Sequence, residues 1–355
     1  MATPRLWLNR GSVFPVAALV ACASASVALS GCAWFDGKKT AGAPGQAPEA
    51  AQASASRKAS KAAPATELLK QAEEARAEGN ADEALRLLAA AIERNPTLTV
   101  AHLDIGDLYL EQSDPARAEK HFGTAAQQQP SNFDAQFKHG YALQLLNRLG
   151  DAVRAYLRAL SIQPDDFRAN QNLATAYLQL SEPSAALPYA QRAVTIQPTS
   201  GAARANLGSV LTSLERHDDA VREYRAAAEL MDLTPQLLLN LSESLGKLDR
   251  YEEMAATLDQ LVMTSPNAQA YERLGFARFK LRQFPAARDG FQKSIAIDQG
   301  HFPALNGLGV CLLNEYLASQ KTDENARRDG LNLLRQSLRY NRSQPKIVEL
   351  INRYD

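Results

Sequence analysis

The side chains of this 355-residue chain that invite a chemical reading are three cysteines, five histidines and a few adjacent carboxylates. Cys22, Cys32 and Cys311 cannot all pair with one another, and no CxxC or Cys/His cluster has the spacing of a metal site. The histidines are scattered. His102 and His139 fall on helical segments where a partly packed imidazole is expected, His217 falls in a turn, and His301 precedes a helix. The acidic pairs Asp218/Asp219 and Glu252/Glu253 lie at turns or helix starts, where carboxylates stabilise the exposed amide groups of a helix N-terminus. The phosphate-loop pattern, HExxH and GxSxG are absent. The expectation is a protein that is not an enzyme, with no catalytic residue, no metal and no cofactor.

Cys32 is the exception, because of what precedes it. Arg5 and Arg10 open the chain, and "VFPVAALVACASASVAL" follows, an apolar run of about 17 residues interrupted by Pro15. A stable membrane span wants roughly 20 strongly apolar residues. A positive start, an apolar middle and small residues at the exit make a secretory signal peptide. The exit "LSGC", Leu29 to Cys32, resembles the lipobox of bacterial lipoproteins. That resemblance implies cleavage before Cys32 and lipidation of its thiol, with residues 1–31 as the signal peptide. An ordinary signal peptide, or a helical anchor with an incidental cysteine, is the other reading. Each buried methylene contributes about 0.8 kcal/mol, so one acyl chain holds weakly and two or three make a stable anchor. Ala33, not Asp, follows the cysteine. By the same resemblance this points to the periplasmic face of the outer membrane.

Residues 32–64 form a separate segment of Ala, Pro, Gly, Ser and Lys with almost nothing to bury, and a disordered tether is expected. About 30 such residues reach roughly 30 Å as a coil and about 100 Å extended. Beyond it, Ala is abundant and strand formers are sparse, which favours helices. Lys plus Arg equals Asp plus Glu at 39 each, so no global field draws the chain to nucleic acid.

One pattern then repeats. Small residues stand at Ala72, Gly106, Gly140, Ala174, Gly208 and Ser242, 34 apart, then at Gly275 and Gly309. A second column follows twelve residues later: Ala84, Ala118, Ala152, Ala186 and Ala220, then Met254 and Ala287. A third holds Ala91, Ala125, Ala159, Ala193 and Ala227, continued by Leu261 and Ser294. Prolines close units at Pro96, Pro130, Pro164, Pro198 and Pro266. Two helices that cross closely need small residues where they touch, and a proline stops the second before the next unit begins.

This register resembles the tetratricopeptide repeat family. The resemblance implies an all-α fold, a right-handed superhelical solenoid of about eight helix-turn-helix repeats over residues 65–343, with a capping helix over 344–355 in which Ile347, Leu350 and Ile351 face the last repeat. Met254 and Leu261 are large where Ala is usual, so their helix pair is expected to sit slightly apart. The eighth unit carries about nine extra residues within "EYLASQKTDENARRDG", to be taken up by a longer first helix or a charged loop. Cys311 occupies a column otherwise filled by Leu108, Ala142, Ala176, Val210 and Ala277, and reads as a buried small hydrophobe.

The family binds partners with the first helices of its repeats. Asn172, Asn206 and Asn240 form a column there, and an Asn amide both donates and accepts, so it can grip a peptide backbone without reading side chains. The other reading is that Asn is simply common at this position. Lys70, Asp104 and Lys138 hold the column in earlier units, while Leu103, Phe137 and Tyr141 offer an apolar patch on the same face. Leu69, Leu103, Phe137, Glu73 and Asp107 occupy the places where a clamp for a C-terminal carboxylate needs Lys and Asn, which disfavours that subclass. The expectation is a lipid-anchored envelope scaffold that binds protein or peptide partners. Two narrower forms resemble known lipoproteins: an assembly factor for pili or secretin pores, and an adaptor for an envelope protease or cell-wall enzymes. Self-association is left open.

Overall fold

The computed structural model describes residues 63–355. The signal peptide, Cys32 and nearly all of the tether lie outside the described residues. Among these there are 17 α-helices and no strand. The chain divides after Glu182 into two compact units.

Residues 63–182 hold α1 (Ala65–Ala77), α2 (Ala81–Arg94), α3 (Thr99–Glu111), α4 (Pro115–Gln128), α5 (Phe133–Leu145), α6 (Leu149–Ile162) and α7 (Phe167–Gln179). Residues 183–355 hold α8 (Pro183–Ile196), α9 (Gly201–Ser213), α10 (His217–Leu230), α11 (Pro235–Lys247), α12 (Tyr251–Thr264), α13 (Ala268–Lys280), α14 (Phe284–Ile297), α15 (Phe302–Ala318), α16 (Glu324–Tyr340) and α17 (Pro345–Tyr354). Odd-numbered helices up to α15 are the first helices of eight sequence repeats, even-numbered ones the second, and α17 is additional. His217 begins α10 and does not sit in the turn before it, a correction of one residue's place.

The first small column exists because a ring sits against it. A Cβ on Gly106 would lie 2.4 Å from Phe122 Cε1, one on Gly140 2.8 Å from Tyr156 Cδ1, and one on Gly208 2.6 Å from Tyr224 Cε1. Each partner is 16 residues downstream and is buried on the second helix. Where the first-helix residue is larger, the partner is smaller: Ala72 is matched in register by Leu88, and Ser242 by Leu258. The second and third columns are buried throughout, including Met254 and Leu261.

The turns inside the hairpins follow one rule that residue identity conceals. Gly79, Ser113, Asn147, Ser181, Glu215, Asp249 and Arg282 all have φ between 56° and 79°, the left-handed conformation that ends a helix. In the second repeat Ser113 N–H donates to Leu110 O at 2.9 Å and Asp114 N–H to Tyr109 O at 2.8 Å. The equivalent pair recurs at Gly79 and Asn80, and at Asn147 and Arg148. The second helix then starts on a side-chain cap in several repeats, as where Asp114 accepts from Arg117 N–H at 2.9 Å.

The nine extra residues of the eighth repeat go mostly into helix. α15 and α16 are each 17 residues long, against 13 and 14 elsewhere, and the turn between them is two residues longer. The columns resume nine residues late: Gly309 faces Leu334, and Gly330 and Ser337 continue the second and third. α17 closes residues 183–355 by packing Ile351, Ile347 and Leu350 on Leu313, Leu331 and Leu334. Cys311 is buried and unpaired, and burial pushes its thiol up to about 12, out of reach of nucleophilic chemistry at neutral pH.

Candidate functional site: the first-helix face

In residues 63–182 the column of interest runs Lys70, Asp104, Lys138, Asn172 along α1, α3, α5 and α7. It is a charge lattice for most of its length. Lys138 Nζ lies 2.6 Å from Asp107 Oδ2, and Arg76 on α1 pairs with Glu111 on α3. Burial, then the neighbouring Asp107 carboxylate, holds the Asp104 carboxyl above the usual Asp range. Asn172 is half-buried on α7.

The three apolar candidates are placed differently from one another. Leu103 is half-buried against Ala118, Phe122 and Ala142 and against the alanines 125, 126 and 135. Phe137 is only 9% exposed. Its ring stacks on Phe133 at 5.8 Å and leans on Tyr156, while the Arg168 guanidinium lies 4.8 Å above it. Phe137 is therefore chiefly a wall between hairpins, and what it presents outward is an arginine-covered ring. Tyr141 stays half-exposed beside the Lys138–Asp107 pair in the same helical turn.

In residues 183–355 the same column runs Asn206, Asn240, Arg273. Asn240 is held by its own repeat and the one before. Its Oδ1 accepts from Gln236 Nε2 at 2.7 Å, and its amide nitrogen lies 3.4 Å from Ser209 Oγ. Behind Ser209 the buried Tyr224 hydroxyl, Thr212 and Ser244 continue the network at 3.0–3.3 Å. Arg273 Nη1 donates to Leu239 O at 2.9 Å, and its Nη2 lies 3.3 Å from Glu243. Asn240 is thus a preset amide with a fixed orientation. Beside Arg273, Glu272 is half-buried, and burial pushes its carboxyl up to about 7 against the pull of that guanidinium.

Arg273, Glu243 and Glu272 stand on this face without having been singled out in the sequence. The signal was available, since Arg273 and Glu243 fall in columns already defined by their small neighbours Gly275 and Ser242. Elsewhere in residues 63–182, His102 and the unremarked His121 approach with Nδ1 atoms 3.2 Å apart, and burial holds both below the usual imidazole range. Among the described residues no three His, Cys, Asp or Glu side chains converge to hold a metal ion, and no helix is long and apolar enough to cross a membrane.

With this geometry in view the comparisons are consistent. A model of the tetratricopeptide repeat matches residues 103–167 and 172–236, two repeats each time. Residues 103–236 therefore match the tetratricopeptide repeat over four units, and the helix pairs on either side keep the same register. A tetratricopeptide repeat-containing protein of Caenorhabditis elegans, trd-1, is 33% identical over 78 residues, which are 22% of this chain and 10% of that one. The chain thus matches about a tenth of the length of this curated relative. A tetratricopeptide repeat protein from Parabacteroides merdae is similar in structure, with a TM-score of 0.50 at 16% identity over 70% of this chain and 98% of its own. The Cut9–Hcn1 hetero-tetramer of the APC/C gives a TM-score of 0.52 at 15% identity, over 81% of this chain and 55% of its own.

Proposed function

We propose that this chain is a lipid-anchored scaffold of the cell envelope that holds protein or peptide partners on the first-helix face of its repeats. The observation that carries the reading is the preset amide of Asn240, held by Gln236 and Ser209 in a column that Asn206 shares in the same unit and Asn172 occupies on α7. An oriented amide costs little further ordering when it meets an extended backbone. Leu103 and Tyr141 supply apolar surface beside the earlier column, and Phe137 backs it. The leader ending in "LSGC" supports anchoring through Cys32 on the periplasmic side of the outer membrane. Within this reading the scaffold serves assembly of pili or secretin pores, or adapts an envelope protease or cell-wall enzymes to their substrates; neighbouring genes of pilus or secretion type favour the first.

Replacing Asn172, Asn206 and Asn240 together by Ala weakens partner binding by about tenfold or more while far-ultraviolet dichroism stays unchanged. Unaltered binding by the triple variant moves the site elsewhere. For the anchor, Cys32→Ala abolishes incorporation of radioactive fatty acid, and label persisting in that variant refutes the lipid attachment.

A further inference from the structure

A cleft of about 420 Å3 opens among α4, α5 and α6, within residues 63–182. None of the first-helix columns lines it. His139 follows Lys138 on α5, and one helical step of about 100° turns it from the partner-binding face toward α4. Gly123 on α4 leaves the imidazole uncovered, since a Cβ there would lie 3.3 Å from His139 Nε2.

The walls are cationic. Lys120 stands on α4, Arg148 caps the start of α6, and Arg154 and Arg158 are one turn apart along it. Two carboxylates oppose them. Glu119 lies 3.3 Å from both His139 Nε2 and Arg148 Nη1, and Asp151 pairs with Arg148 at 2.8 Å and with Arg154. Arg158 is steered without being neutralised: its Nε donates to Gln136 Oε1 at 2.9 Å. Gln136 is itself buried, with its amide nitrogen on the Ala126 and Pro130 carbonyls at 3.1 and 3.3 Å. Burial holds His139 below the usual imidazole range, so it adds no charge at neutral pH. Four cations against two carboxylates leave the cleft with two positive charges uncompensated.

We infer that this cleft binds the phosphate monoester group of a small ligand. A phosphate monoester carries close to two negative charges at neutral pH and three acceptor oxygens, which planar guanidinium forks match better than ammonium groups do. The volume admits a small organic ligand around that group, and the Gln127 side chain on the same wall is suited to its hydroxyls. A soluble phosphometabolite and a lipid headgroup such as phosphatidic acid present the same chemistry.

The test is titration of the full chain with glycerol 3-phosphate at low ionic strength, where charge contacts are least screened. Vesicles of phosphatidylcholine with and without phosphatidic acid form the second arm. Saturable binding of either probe is expected, and the arm that binds identifies the source. Lys120→Ala/Arg154→Ala weakens it at least about tenfold, whereas Arg94→Ala at the exposed end of α2 leaves it unchanged, with both variants keeping the wild-type melting curve. Absence of saturable binding to both probes, or equal losses in the Arg94 and Lys120/Arg154 variants, overturns the assignment in favour of diffuse surface charge.

Discussion

The third and sixth hairpins, α5/α6 and α11/α12, solve the same packing problem with different residues. The third places Gly140 against the buried ring of Tyr156, whose hydroxyl donates to Gln144 Oε1 at 2.9 Å. The sixth places Ser242 in register with Leu258, and it buries Met254 and Leu261 where the third has Ala152 and Ala159. Their outward faces differ as well. Lys138 in the third is paired with Asp107, while Asn240 in the sixth sits in a neutral amide and hydroxyl network. The repeat constrains the sum of the volumes at a crossing and leaves the exposed column to vary. That separation is what allows one scaffold to present a charged surface at the third hairpin and a hydrogen-bonding one at the sixth.

The largest effects break the packing half of this comparison. Tyr156→Ala empties the space behind Gly140 and lowers stability by about 3–5 kcal/mol in urea denaturation. Gly140→Ala alone costs about 1–3 kcal/mol through the close ring, partly offset by better helix propensity. In a Tyr156→Leu background the same change costs measurably less, because the crossing then carries the alanine–leucine pair that Ala72 and Leu88 form in the first hairpin. Equal costs in the two backgrounds would mean that ring and glycine are not coupled.

A second effect makes the stability of residues 183–355 depend on pH in a further way. Burial raises the Glu272 carboxyl from an ordinary 4.5 to about 7, so between these values the folded chain holds a proton that the unfolded chain has released. This contribution to stability is full below about pH 4.5 and is lost as pH rises through 7. Glu272→Gln removes that slope and stabilises the protein at pH 8 by roughly 1–3 kcal/mol. Burial holds His102, His121 and His139 neutral in one unit and His217 and His301 in the other, so their contribution is present above about 6.5 and is lost on acidification. Urea melts of wild type and Glu272→Gln across pH 4–8 measure the first slope directly.

Smaller still are the turns. Glu215 has φ 59° where Gly79 has 79° at the equivalent place. Glu215→Gly is expected to stabilise by about 0.5–1 kcal/mol and Gly79→Ala to destabilise by about 1 kcal/mol. Lys138→Gln removes a partly exposed ion pair and shifts stability by less than about 1 kcal/mol, near the limit of thermal melts.

Much of the fold was readable because packing at helix crossings demands small residues at a fixed interval, and Ala and Gly columns carry that demand openly. The capping helix was readable from the spacing of Ile347, Leu350 and Ile351 for the same reason. The hairpin turns were not, since backbone hydrogen bonding enforces the left-handed residue whether it is Ser113, Asn147 or Glu215. On the first-helix face, Asn240 could be found by register, but its partners Gln236 and Ser209 come from its own preceding turn and from the previous repeat. Phe137 read as exposed because its column is usually outward. The adjacent Phe133 and Arg168, which cover it, belong to no column of the repeat.

The most direct measurement places a photo-crosslinking amino acid at Asn206 or Asn240, and for comparison at the exposed Arg222 on the second helix α10, in cells that make the full chain. The account predicts that both first-helix positions capture the same partner and that Arg222 does not. Capture from Arg222 with none from Asn206 or Asn240 would contradict the assignment of the first-helix face as the surface on which partners dock.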